Sequence, residues 1–173
     1  MIIGADVLRI QLDYTQWASR RLIEAASTLA PEELTRDFGT ADKSILGTLV
    51  HVYAAERAWL GRLTGAPAQP FTTEADYRLS VLQHDWPTLH ERWKDWAGKL
   101  SDAGAEASVS YADLRGKRWE QPVWQIVLHV VNHSTQHRGQ VLGFLRALGH
   151  TPPKIDLTEY YRSPQLRQSG VAT

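Results

Sequence analysis

The sequence contains no cysteine. This excludes disulfides, thiolate metal sites and a cysteine nucleophile, but it leaves the compartment open, because secreted proteins can also lack cysteine. An excess of charge of one sign is missing too, since 19 Lys and Arg balance 19 Asp and Glu. Non-specific affinity for nucleic acid comes mainly from basic side chains that displace counterions. We therefore expect no nucleic-acid partner.

Long apolar runs are also lacking. The longest, over residues 123–131, contains Gln125 and His129 and is far shorter than the ~20 residues that span a bilayer. The N-terminal segment is interrupted by charges at Asp6, Arg9 and Asp13. Such charges break up the apolar core that a signal peptide needs. We expect a cytoplasmic protein with no membrane partner.

The apolar content is sufficient for one hydrophobic core. Hydrophobic residues make up 43% of the chain, and they include seven Trp, which we expect to serve as core residues. A chain of this length usually forms one domain. We expect a single domain over residues 1–162, followed by a flexible tail over 163–173.

Four segments have apolar side chains at the three- and four-residue spacing of amphipathic helices. They cover residues 5–29, 45–63, 79–100 and 122–148. Because Pro87 leaves the phase of the third stripe unchanged, we expect one kinked helix there. Long amphipathic helices without strong strands predict an all-α four-helix bundle.

The helix ends and the connections have their own signals. Ser44 is a good N-cap for the second helix, and Gly65 and Gly149 are suited to end the second and the fourth. Residues 31–34 can form a short extra turn. The segment 108–121 predicts a small hairpin or an ordered loop. Near the C-terminus, we expect the tyrosines of residues 154–163 to pack and residues 165–173 to be loose.

The second predicted helix has few strongly polar positions, so it should be covered on most sides. We therefore expect a homodimer, in which a second copy shields part of this helix. Bulky side chains form one face, and small residues surround His51 on the other, at Gly47, Ala54, Ala55 and Ala58.

Three histidines on the fourth helix, His129, His133 and His137, are spaced at i, i+4 and i+8. Side chains at i and i+4 share a face, so two imidazoles can converge on one ion. His129 and His137 are ~12 Å apart along the axis, so all three cannot. His133 and His137 fall in the middle of the apolar stripe, whereas His129 lies about 60° to one side.

A single histidine in an apolar stripe is more often a hydrogen-bonded core residue than a ligand, but two at i, i+4 reverse that balance, because burying two unpaired polar groups is costly. His51 is the one histidine on the first two helices and supplies the third ligand. His129 is interpreted as partly exposed or, less favoured, as an outer neighbour of the site. We interpret the remaining histidines as surface or loop residues, namely His84, His90 and His150.

Three segments carry a resemblance to a known family. YTQWASRRLIEA, SILGTLVHVYAAERAWL and VLHVVNHSTQHRGQVLGFLRALG resemble, in this order, the first, second and fourth helices of the DinB-like (YfiT-like) metalloenzymes. The resemblance implies a four-helix bundle with a three-histidine divalent metal site, often nickel or zinc, and a dimer. By position, the implied ligands are His51, His133 and His137. Characterised relatives include metal-dependent transferases and isomerases that use low-molecular-weight thiols.

Three imidazoles without a carboxylate leave a coordination position open, which is typical of a catalytic site. We therefore expect a metal-dependent enzyme, transferase-like or hydrolytic, that activates a small thiol or water towards a small electrophile. The alternatives are a metal-binding stress protein with a structural ion and a dimerisation module that binds nothing. No general base is assigned, because Glu56 points about 140° away from His51. Arg138 is interpreted as a structural ion-pair or cap residue, and Gln140 either orients a ligand or makes a plain core hydrogen bond.

Overall fold

The computed structural model of the chain describes residues 3–164 and 166. Its elements are the helices α1 (Ala5–Ala26), α2 (Pro31–Thr35) and α3 (Ile45–Thr64), a 3-10 turn (Glu74–Asp76), the helices α4 (Leu79–Gly98) and α5 (Asp102–Glu106), the strands β1 (Ser108–Ala112) and β2 (Arg118–Pro122), and the helices α6 (Val123–Ala147) and α7 (Leu157–Tyr161). Four long helices, α1, α3, α4 and α6, form the bundle. The predicted all-α class is confirmed.

The order of the long helices around the bundle differs from their order in the chain. α1 packs mainly against α4 and α6, and α3 packs mainly against the same two helices. The successive helices α1 and α3 are therefore diagonal to each other, and residues 27–44 cross from one to the other. This arrangement places α3 beside α6, so that the histidine faces of the two helices meet.

Local signals account for most helix ends. The Ser44 side chain accepts a hydrogen bond from the Gly47 amide, and Gly65 ends α3 with φ of +67°, as predicted. α4 continues across Pro87 as one helix, also as predicted. The first helix, however, ends at Ala26 rather than at residue 29. Periodicity misplaced this end because Leu29 is still buried, although it lies beyond the last helical turn.

The segment between α5 and α6 forms the hairpin alternative of the sequence prediction. β1 and β2 are antiparallel, with Ser108 opposite Pro122. Their turn is held by Asp113, whose carboxylate accepts hydrogen bonds from the amides of Arg115 and Lys117, and by Gly116 at φ of +80°. The side chain whose hydrogen bonds hold the turn therefore belongs to the turn itself.

The C-terminal part of the described chain packs against α1. Tyr160 is buried, and its ring centroid lies 5.8 Å from that of Tyr14 and 5.5 Å from that of Trp17. The predicted packing of this segment is confirmed for Tyr160, whereas Tyr161 is 44% exposed. The loose segment expected at 165–173 lies outside the described residues, apart from Leu166. The division into a domain over 1–162 and a flexible tail stays a prediction.

α3 is covered as the sequence predicts, but by its own chain. Residues 45–50 and 52–56 are all buried, and α2, α4 and α6 pack over them. This face therefore does not require a second copy to shield it from water. The homodimer stays a prediction. Among the described residues, no helix is both long and apolar enough to cross a membrane.

Candidate metal centre

The structure brings together the three histidines selected from the sequence. His51 projects from α3, and His133 and His137 project from successive turns of α6. One nitrogen of each lies within 4.8 Å of one from each of the others, and the two Nε2 atoms of His51 and His133 are 3.1 Å apart. His129 is exposed and lies outside this group, with its ring 5.1 Å from that of Trp59. It is therefore the partly exposed histidine that the sequence favours.

The spacing of these nitrogens fits a metal ion. Two imidazole nitrogens bound at 2.0–2.1 Å to a tetrahedral ion lie about 3.3 Å apart, which is close to the separation of the Nε2 atoms of His51 and His133. No carboxylate belongs to the group among the described residues. The site therefore could hold one divalent ion on three nitrogen donors.

Burial keeps two of the three histidines, His51 and His133, in the neutral form that binds a metal. Burial, together with repulsion from His137 and His51, lowers the pKa of His133 to about 4. Burial also lowers the pKa of His51, although the charge of Asp42 opposes the shift. Both imidazoles are therefore neutral near pH 7 and have a lone pair available for an ion.

Two side chains orient the imidazoles from behind. Nδ1 of His137 donates to Oε1 of Gln140 at 2.8 Å, which leaves Nε2 of His137 free as a ligand atom. The Asp42 carboxylate lies at ion-pair distance from two rings, with Oδ1 3.4 Å from Nδ1 of His51 and Oδ2 3.6 Å from Nδ1 of His137. Partners of this kind set the tautomer and direction of metal-binding histidines. The contact of Gln140 with His137 fits both of its predicted alternatives, so the orienting role stays a prediction.

Asp42 reaches the histidines because of a glycine. An added Cβ at Gly47 would lie 2.1 Å from the backbone oxygen of Asp42, so only glycine allows the loop to fold this closely onto the first turn of α3. The sequence analysis missed Asp42, which lies in a loop without periodicity. The available signal was a glycine in the first turn of a helix whose cap, Ser44, was already identified.

A buried polar cluster lies between α3, α4 and α6, with Glu56 at its centre. Trp86 Nε1 and His90 Nε2 lie 2.7 and 3.1 Å from Oε2 of Glu56, and Ser134 donates to Oε1 at 2.9 Å. Burial acts to raise the pKa of Glu56, but the hydrogen bonds from His90 and Trp86 and the charges of His90 and Arg138 outweigh it and hold this pKa below its ordinary value. Glu56 is therefore a buried, charged carboxylate, and each of its two oxygens lies at hydrogen-bond distance from a neighbouring side chain.

The interpretation of His90 as a surface or loop residue is wrong, because His90 is buried on α4 as a partner of Glu56. His84 is exposed, and His150 lies in the loop after α6 against Glu33, so these two agree with their interpretation. Arg138 is buried, but among the described residues no carboxylate lies within ion-pair distance of it, and its hydrogen bonds do not cap a helix. It is 2% exposed and its side chain donates to the Thr15 carbonyl and the Thr135 hydroxyl.

A cavity of about 380 Å³ opens beside the histidines. Its lining comprises residues from α3, from the loop after α3, from the hairpin turn and from α6, namely His51, Ala55, Ala58, Trp59, Arg62, Phe71, Asp113, Leu114, Arg115 and His133. The expectation that the tryptophans are core residues is wrong for Trp119, which is 43% exposed. Trp59 packs against the core and also lines this cavity.

Phe71 is held at the cavity by an ion pair. Arg57 donates to the Phe71 carbonyl at 2.9 Å and to both carboxylate oxygens of Asp76, at 3.1 and 3.2 Å. The Phe71 ring then meets His51 edge-on, with a centroid distance of 5.6 Å. Phe71 forms an apolar wall next to the candidate ligands.

Fold and site together define an all-α bundle protein with a candidate three-histidine metal centre facing a cavity. The model of the DinB family matches residues 7–168, and the chain belongs to the DinB family. It is similar to Protein DinB of Bacillus subtilis (strain 168), with 21% identity over 156 residues, which is 86% of this chain and 90% of that protein.

Proposed function

We propose that the protein is a metal-dependent enzyme that activates a low-molecular-weight thiol, or water, for transfer to a small electrophile. The observation that carries the proposal is the position of the three imidazoles. They supply three nitrogen donors without a carboxylate, and two of them, His51 and His133, line a cavity large enough for a small molecule. Sites with three protein ligands and an open position are typical of catalytic metal ions.

Nitrogen donors suit zinc or nickel, and we propose one of these as the ion. Such an ion would lower the pKa of a thiol or water and stabilise developing negative charge. The protein's own residues have separate tasks. Gln140 and Asp42 fix the imidazole directions, and Phe71 and Trp59 provide apolar walls that restrict water. Because the chain has no cysteine, any thiol must come from a cosubstrate.

The alternative is a metal-binding stress-response protein in which the ion is structural. The location of the core favours the enzyme. Trp86 and Trp93 are almost fully buried between the long helices, whereas the three histidines are only half-buried. A bundle with such a core does not depend on the ion to hold its helices together.

The first experiment is elemental analysis of the protein purified without a histidine tag. We expect one ion per chain. His51→Ala, His133→Ala and His137→Ala should each abolish stoichiometric binding, because two imidazoles hold an ion much more weakly than three. His129→Ala is the matched control on α6 and should retain the ion. Loss of the ion from the control with retention in His137→Ala would place the site one turn away.

The second experiment separates the enzyme from its alternative. After cobalt substitution, a small thiol such as 2-mercaptoethanol should change the visible spectrum, because sulfur enters the coordination sphere. Chelation should lower the melting temperature but leave the helical circular dichroism intact, as expected for a ligand that binds only the native state. An unchanged spectrum with thiols, together with loss of helicity on chelation, would favour a structural ion.

We also propose a homodimer and a cytoplasmic location. The family resemblance supports the dimer, and cell fractionation tests the location. Sedimentation equilibrium at micromolar concentration tests the dimer directly, since a monomer mass would remove it.

A further inference from the structure

The cavity beside the histidines has two chemically different ends. Arg62 lies three turns beyond His51 on α3, so the imidazoles of His51 and His133 mark one end of the lining and the guanidinium of Arg62 marks the other. Apolar side chains make up most of the remaining lining, namely Ala55, Ala58, Trp59, Phe71 and Leu114, and the charged residues Asp113 and Arg115 of the hairpin turn complete it. A ligand that fills this cavity therefore meets a reactive end, an apolar middle and a cationic end.

The two ends lie on one stripe of α3. Arg62 follows His51 by eleven positions, which is three turns, so both side chains project from the same face about 16 Å apart along the axis. The Arg62 guanidinium lies closer to His51 than this axial distance, because long helical side chains lean towards the N-terminus of their helix. The distance to be bridged is therefore on the order of 10 Å or more.

Aromatic rings hold the Arg62 guanidinium in place. Its central carbon lies 4.3 Å from the ring centroid of Trp59 and 5.3 Å from that of Tyr111. No carboxylate of residues 3–164 or 166 lies within 4.0 Å of it. A guanidinium that stacks through its faces keeps its N–H edge available for a planar, bidentate acceptor.

The one carboxylate in the lining is already engaged. Asp113 accepts hydrogen bonds from the amides of Arg115 and Lys117 and from Trp119 Nε1, and these bonds keep its pKa below the ordinary value. Two guanidinium groups, Arg62 and Arg115, against this one carboxylate leave the lining with a net charge of one positive unit. This positive charge, to which a bound divalent ion would add, favours a ligand with an anionic group.

We propose that the cavity binds an elongated monocarboxylate, whose reacting atom lies at His51 and His133 and whose carboxylate lies at Arg62. This inference rests on the proposed function, since it names the class of substrate that the metal centre receives. The reacting group and the carboxylate are separated by an apolar stretch of about 10 Å, which follows from the spacing of the two ends on α3. A volume of about 380 Å³ accommodates such a molecule, since ligand cavities usually have about 300–1,000 Å³.

The test compares two thiols of equal length on the cobalt-substituted protein, 8-mercaptooctanoate and 8-mercaptooctanol. We expect the carboxylate to bind about tenfold more tightly in a spectral titration, because a charge-assisted hydrogen bond replaces a neutral contact. Arg62→Met, which keeps an apolar stem against Trp59, should abolish this preference. Arg92→Met, an exposed arginine of α4, is the matched control and should retain it. The short pair 3-mercaptopropionate and 2-mercaptoethanol should show no dependence on Arg62.

The outcomes distinguish this inference from the proposed function. If both long thiols change the spectrum equally, or if Arg62→Met keeps the preference, the carboxylate subsite is wrong while thiol binding stands. If no thiol changes the spectrum, thiol activation fails, and calorimetry of the metal-free protein with octanoate and octanol decides the subsite alone. Octanoate binding that Arg62→Met abolishes would support the subsite, and equal binding of octanoate and octanol would overturn it. Circular dichroism of each variant verifies its fold.

Discussion

Glu56→Gln tests whether the buried anion stabilises the bundle. With its oxygen in the place of Oε2, glutamine still accepts from Trp86 and His90, and its amide can donate to the Ser134 hydroxyl. The contacts survive but the charge is lost. Hydrogen bonds to charged groups contribute about 1.5–3 kcal/mol and neutral ones about 0.5–1.5 kcal/mol. Three weakened bonds, offset by the smaller cost of burying a neutral group, predict a loss of about 1–3 kcal/mol in the free energy of unfolding.

Glu56→Ala should lower the free energy of unfolding more than Glu56→Gln does, because it also leaves buried hydrogen-bond donors without an acceptor. Among the described residues, the indole N–H of Trp86 donates to Glu56 alone, and unlike a hydroxyl it cannot act as an acceptor instead. Removal of one member of a buried charged cluster costs about 3–5 kcal/mol. Glu24→Gln and Glu24→Ala, at an exposed position of α1, are the controls and should change stability by no more than about 0.5 kcal/mol.

The assay is urea unfolding of the metal-free protein, followed by far-UV circular dichroism at several pH values. Because the folded-state pKa of Glu56 lies below its ordinary value, its ionisation stabilises the fold fully above the unfolded-state pKa of about 4.3. This contribution is lost as the pH falls through the folded-state pKa. The difference in the free energy of unfolding between wild type and Glu56→Gln should therefore be constant from roughly pH 6 to 8 and should become smaller below about pH 4. Equal stability of the two proteins at pH 7 would refute the reasoning.

Three further substitutions probe the surroundings of the histidines. Asp42→Asn should weaken metal binding about tenfold without unfolding the protein, because the charge behind two imidazoles is lost; competition with a chelator of known affinity measures this. Gly47→Ala should lower stability by about 1–3 kcal/mol, because the new Cβ collides with the Asp42 carbonyl. Gly143→Ala, where no atom lies within 4 Å of the new Cβ, should instead raise stability by up to about 1 kcal/mol; thermal unfolding compares the two. Asp76→Asn should cost about 1–3 kcal/mol and expose the loop at residues 64–78 to proteolysis, since Arg57 loses its charged partner; an unchanged cleavage rate would contradict this.

The sequence predicts the features that depend on a period or on a cap. Apolar spacing located all four long helices, and the midpoint of the α6 stripe selected His133 and His137. His90 is also in phase with the stripe of α4, four residues after Trp86 and three before Trp93, but it was interpreted as a surface or loop residue. It is buried in contact with Glu56 of another helix, whose Oε2 lies 3.1 Å from its Nε2. Such a pair becomes visible only when two helices are placed side by side.

The diagonal placement of α1 and α3 could not be predicted from the sequence, for a related reason. Amphipathic stripes indicate that helices pack, but they do not indicate which helices become neighbours. The position of Asp42 follows from that placement, since the connection that crosses the bundle brings the Asp42 carboxylate behind His51 and His137. A loop residue of this kind has no period to reveal it.

The hairpin has a consequence for how this protein can change. Its turn forms part of the cavity wall, yet the hydrogen bonds that shape it come from Asp113, within the turn itself. Leu114 is 70% exposed and Arg115 is also exposed, so neither residue helps to fill the core. Substitution here alters what the cavity admits and leaves the bundle intact. The hairpin is thus a replaceable part, through which one scaffold and one set of histidines could serve different small molecules.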